Sequence, residues 1–181
     1  MVRHADFLDR ISHVFGEDHA TFKLAYRLIR ESGIALEGKR GRHAPERTPG
    51  DAAVLWCWLG VTDKPVSAPL ALHDFGFSLR VGRPREEEVM RQSLELQDRH
   101  CALDALTALI EAEAAGKELP GYVVEFQPDE LSVVIDCGFE RYRYSREPDE
   151  AAAARWAKPY RIIRQFPQPF VRGIAAIFRA E

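Results

Sequence analysis

The side chains in this sequence best suited to hold another molecule are basic. From Gly38 to Arg47 the run GKRGRHAPER places Lys39, Arg40, Arg42 and Arg47 against one acid, Glu46, with His43 among them. Guanidinium and ammonium groups on such a segment can neutralise nucleic-acid phosphates and release their counterions. The same run also fits a solvated surface loop whose glycines serve its turns, and both readings stay open. A second positive segment, Ala151 to Ala180, carries Arg155, Lys158, Arg161, Arg164, Arg172 and Arg179 with no acid. It can dock on the acidic middle helices, bind a partner or touch nucleic acid.

Catalytic patterns are harder to assemble. Gly38-Lys39 is not a phosphate-binding P-loop, because no Ser or Thr follows the lysine and no G-x-x-x-x-G-K precedes it. The histidines at 4, 13, 19, 43, 73 and 100 form no H-E-x-x-H, and His100 and Cys101 are adjacent rather than on one helix face. Cys57 stands between Trp56 and Trp58, where a thiol is inert core. Glu86, Glu87 and Glu88 follow Pro84 and read as the first turn of a helix, favoured there by its dipole. Tyr142 and Tyr144 alternate with Arg141 and Arg143 on a strand, which puts the rings on one face; the packing surface of a sheet is preferred to a base-stacking platform. The expectation is a non-enzyme without cofactor or metal.

Composition sets the frame for these groups. The 181 residues are 46% hydrophobic, enough to bury a core without metals or disulfides. Three widely spaced cysteines, Cys57, Cys101 and Cys137, point to a reducing, cytoplasmic setting. No apolar run is long enough to span a membrane, and a net charge of -3 argues against wholesale coating of nucleic acid.

Helical spacing of Phe7, Leu8, Ile11, Val14 and Phe15 predicts a helix near 5–15, closed by Gly16. Asp18 or Thr21 can cap a second, with Phe22, Ala25, Leu28 and Ile29 as its apolar stripe, running to about Glu31. Thr48-Pro49-Gly50-Asp51 is the best-marked helix start, and AAVLWCWLG after it is apolar nearly all round. Leu55, Trp56 and Leu59 are therefore expected in the core. Further helices are predicted over 68–79, 85–99 and 102–115. The period then changes to two: 122–126, 131–136 and 139–144 read as an antiparallel meander. A helix over 149–157, a strand over 160–166 and a helix over 169–180 complete the chain.

The stretch from Gly38 to Leu55, G-x-R-G-R-H-A-P-x-R-T-P-x-D-A-A-x-L, resembles the wing and following helix of MerR-like and excisionase-like DNA-binding domains. The span Arg27 to Leu59 looks more like the N-terminal region of uncharacterised proteins encoded in proteobacterial prophages. That resemblance implies a winged helix-turn-helix and a phage or mobile-element origin, without supplying an activity.

The fold expected is α+β: a helical, winged-helix-like half over 1–82, then an α+β module with a small antiparallel sheet over 83–181. The function expected is a DNA-binding regulatory or accessory protein contacting double-stranded DNA through Lys39, Arg40, Arg42, His43 and Arg47. The alternative is a protein-interaction factor, or inhibitor of a host complex, without DNA affinity; self-association fits either.

Overall fold

The computed structural model describes residues 2–33, 46–81, 89–97, 99–146, 150–156 and 163–179. Helix α1 (His4–Phe15) stops where Gly16 turns left-handed at φ 68°, a conformation that favours glycine. Asp18 then caps α2 (His19–Glu31), its carboxylate accepting the Thr21 N–H at 3.1 Å. The buried stripe of α2 is Phe22, Ala25, Tyr26 and Ile29.

Helix α3 (Pro49–Val61) opens with a reciprocal cap. The Asp51 N–H donates to Thr48 Oγ1 at 3.3 Å, and the Thr48 N–H donates to Asp51 Oδ2 at 2.8 Å. Every residue from Asp51 to Val61 is buried, including Leu55, Trp56 and Leu59, which is what an all-round apolar helix requires.

The segment expected as one helix over 68–79 is broken instead. After a 3-10 turn (Pro65–Ser67), α4 (Ala68–Ala71) passes into a π-helical turn (Leu72–Gly76), and the chain becomes strand β1 (Leu79–Arg80). Sheet pairing takes the backbone here: Leu79 pairs with Ser145 and bridges Cys101, while the Ala102 N–H donates to the Ser78 carbonyl at 3.0 Å. Tertiary hydrogen bonds of this kind outweigh local helix propensity.

The helix expected over 85–99 is likewise shorter. Among the described residues only α5 (Val89–Ser93) is helical, and Glu95 adopts a left-handed φ of 55°. His100 then ties the chain to the sheet, Nε2 lying 2.8 Å from the Tyr144 hydroxyl and Nδ1 2.6 Å from the Gln97 carbonyl. Glu86, Glu87 and Glu88 lie outside the described residues.

Helix α6 (Ala102–Ala114) leads into the expected meander: β2 (Val123–Gln127), a 3-10 turn (Pro128–Glu130), β3 (Ser132–Asp136) and β4 (Arg141–Ser145). Helix α7 (Glu150–Trp156), strand β5 (Arg164–Pro167) and helix α8 (Gln168–Ala176) follow. The five strands form an antiparallel sheet in the order β1-β4-β3-β2-β5. Registers Val124↔Ile135, Phe126↔Val133 and Val133↔Tyr144 stack one apolar face. On the other, Arg141 reaches Glu125 at 3.1 Å and Arg143 reaches Glu130 at 2.7 Å. Tyr142 and Tyr144 are buried and Arg141 and Arg143 exposed, so the rings pack rather than stack bases.

Helix α3 lies on β2 and β5, α6 packs on α3, and α8 joins α6, α1 and β5. The protein is thus α+β, with helices against one face of an antiparallel sheet. One buried cluster runs from Phe7 to Ile177, because α3 must cover its apolar faces with α6 and the sheet, and β1 pairs across the expected junction.

Candidate anion-binding surfaces

Of the five residues expected to contact DNA, Lys39, Arg40, Arg42 and His43 lie outside the described residues. Arg47 is described, and it faces inward. Its side chain is 7% exposed, 3.5 Å from the Asp51 carboxylate, and its guanidinium carbon sits 5.2 Å from the centre of the Tyr26 ring. It also donates to the Tyr26 hydroxyl. Burial, reinforced by Asp51, pushes the Tyr26 phenol up to about 12, so it stays protonated. Arg47 therefore couples the start of α3 to α2, a role its position in a basic run does not reveal.

The described arginines of the acid-free C-terminal segment are also drawn onto the rest of the fold. Arg172 Nε lies 3.0 Å from Glu113, a buried acid of α6 that also accepts from Gln168 at 2.7 Å and from the Tyr122 hydroxyl at 3.2 Å. Arg179 donates to the Glu113 carbonyl at 2.8 Å, and Arg164 donates to the Leu59 carbonyl. Docking on the acidic middle helices is thus the use the structure makes of Arg172 and Arg179, both of which meet Glu113 of α6. Lys158 and Arg161 lie outside the described residues.

A cationic stripe does reach solvent on α2. Lys23, Arg27 and Arg30, spaced i, i+4 and i+7, share one side of the helix with Ala20 and Leu24, opposite its buried face. Together with Tyr26 they line a groove of about 360 Å³. The stripe extends about 10 Å along the axis at 1.5 Å per residue. Its acidic neighbour, Glu31, is 3.9 Å from Arg27 with both side chains more than half exposed. Such a pair holds little energy and gives way readily to another anion.

A second gathering of cations surrounds Asp74, on the π-helical turn. The carboxylate is 2% exposed. Its Oδ2 accepts from Arg155 at 2.5 Å and from the Trp156 indole at 2.8 Å; its Oδ1 lies 2.9 Å from His73 Nδ1 and 3.5 Å from Arg146. Burial alone would raise this carboxyl, but hydrogen bonds from Trp156 and His73 and the charge of Arg155 prevail and hold it below its ordinary value. The sequence gives one local sign, the adjacency of His73 and Asp74; the other partners lie more than 70 residues away.

The thiols are poor nucleophiles. Burial raises all three, Cys101 to about 11 and Cys137 to about 12, with Cys57 fully enclosed. Among the described residues no group of three or more His, Cys, Asp or Glu is placed to hold a metal ion, and no helix is long and apolar enough to cross a membrane. No family model, no curated protein and no solved structure matches the chain.

Proposed function

We propose that the protein binds double-stranded DNA as a regulatory or accessory factor of phage or mobile-element type, with α2 as the described part of its contact surface. The observation that carries this reading is the solvent-facing stripe of Lys23, Arg27 and Arg30 along its groove. Lys39, Arg40, Arg42 and His43 follow α2 in the chain and extend the same positive charge. Phosphate neutralisation by such side chains releases counterions, so affinity falls linearly with log salt. The resemblance of Arg27 to Leu59 to prophage-encoded proteins supports the biological setting.

The test is fluorescence anisotropy with a labelled duplex across a salt series. Replacing Lys23, Arg27 and Arg30 together by Gln is expected to reduce the slope of log K against log salt by roughly 2 to 3, at about 0.9 per contact. A parent protein without affinity for any duplex at low salt overturns the proposal.

The alternative, a protein-interaction factor without DNA affinity, has its own observation. Phe77, Leu79 and Val81 are 45%, 62% and 56% exposed, on and beside the edge strand β1. Under that reading the duplex titration is flat, and Leu79→Glu is expected to abolish partner binding or self-association, read as mass in solution.

A further inference from the structure

We propose that His73, Arg146 and Arg155, gathered round the buried Asp74, form a binding site for a phosphate group. The three side chains come from separate parts of the chain: the π-helical turn, the residue after β4, and α7. They converge on one carboxylate, and each keeps a surface to solvent, 55% for His73, 38% for Arg146 and 36% for Arg155. Among these side chains two guanidinium charges face the one Asp74 carboxylate, an excess of positive charge.

Asp74 holds these donors unequally, and Arg146 is the least closely held. Arg155 and Trp156 lie 2.5 and 2.8 Å from one oxygen and His73 2.9 Å from the other. Arg146 is left at 3.5 Å from the carboxylate, with its NH1 2.9 Å from His73 Nδ1. A guanidinium nitrogen is always a donor, and the same ring nitrogen cannot donate to Asp74 and accept from Arg146 at once. Each guanidinium also has N–H groups beyond those directed at Asp74. An anion with several acceptor oxygens resolves this arrangement: a tetrahedral phosphate can accept from both arginines and the imidazole together. Asp74 then serves as the buried strut that fixes Arg155 and His73 for it.

The phosphate can belong to a small phosphomonoester or to a nucleic-acid backbone, and the site stands independently of α2. The experiment follows the His73 ring resonances by NMR in the full chain while inorganic phosphate is added at low chloride. The expected result is a saturable shift that Arg146→Gln weakens about tenfold, the loss of one charge-assisted hydrogen bond. Arg155→Lys, which keeps the charge but not the fork, is expected to weaken it as well. The Lys23, Arg27 and Arg30 triple variant is expected to leave the phosphate titration unchanged, so failure of the DNA reading and failure of this site are separable. Repeating the titration with a duplex and with a nucleoside monophosphate identifies the source of the phosphate. Ring resonances unmoved by millimolar phosphate, or a shift that persists undiminished in folded Arg146→Gln, overturn the proposal.

Discussion

Gly60 of α3 presses so closely on Phe126 of β2 that a Cβ on the glycine would stand 2.4 Å from the aromatic ring. Phe126 is fully buried and cannot swing out to solvent. The contact fixes how near the central helix approaches the sheet. Gly60→Ala is therefore expected to destabilise the fold by about 1–3 kcal/mol through overpacking, despite the better helix propensity of alanine. A lower denaturant midpoint measures it; an unchanged or higher midpoint would show that helix and sheet separate freely.

Trp56, one turn earlier, is fully buried among Phe126, Phe166 and Phe170, with ring centres 5.8–6.2 Å away. Trp56→Ala is expected to cost about 3–5 kcal/mol, from lost burial and the residual cavity. Its indole nitrogen finds no hydrogen-bond partner among the described residues, so Trp56→Phe should be milder than the alanine change. Equilibrium urea unfolding of the two variants side by side checks the order.

Arg47 separates stability from binding. Its burial against Asp51 and Tyr26 predicts that Arg47→Ala destabilises by about 1–3 kcal/mol by leaving Asp51 without its cation. The salt slope for duplex binding is expected to stay that of the parent. A reduced slope with unchanged thermal melting would return Arg47 to the contact surface.

The pH dependence of stability carries the mark of Asp74. Its folded-state carboxyl titrates below the ordinary 3.8, so the stabilisation it gives is complete above that value and is lost as pH falls through the lower, folded-state value. Asp74→Asn is thus expected to be less stable than the parent at neutral pH, with the difference shrinking on acidification below about 4. Chemical denaturation at several pH values tests this, and a gap that widens toward acid would contradict it.

What could be read in the sequence was what contiguous residues determine. Thr48, Pro49 and Asp51 specify a helix start among themselves, and the alternation of Tyr142 and Tyr144 with Arg141 and Arg143 sorts two faces without outside help. The failures lie where distant groups decide. Residues 68–79 look helical until Ser145 and Cys101 draw Leu79 into the sheet. Arg47 looks like a surface cation until Tyr26, 21 residues earlier, receives it. The node at Asp74 draws on Arg146 and Arg155, 72 and 81 residues later, and no local pattern announces it.

The docking of α8 on α1 has a consequence for the timing of synthesis. Phe7 meets Phe178 with ring centres 6.0 Å apart, so a helix translated early is completed by one translated late. At about 5–20 residues per second the interval between these two phenylalanines is roughly 10–30 s. For that time the apolar side of α1 that α8 will cover is open on the ribosome. The nascent chain is then a natural client for chaperones, and ribosome stalling before α8 emerges should leave it prone to aggregate.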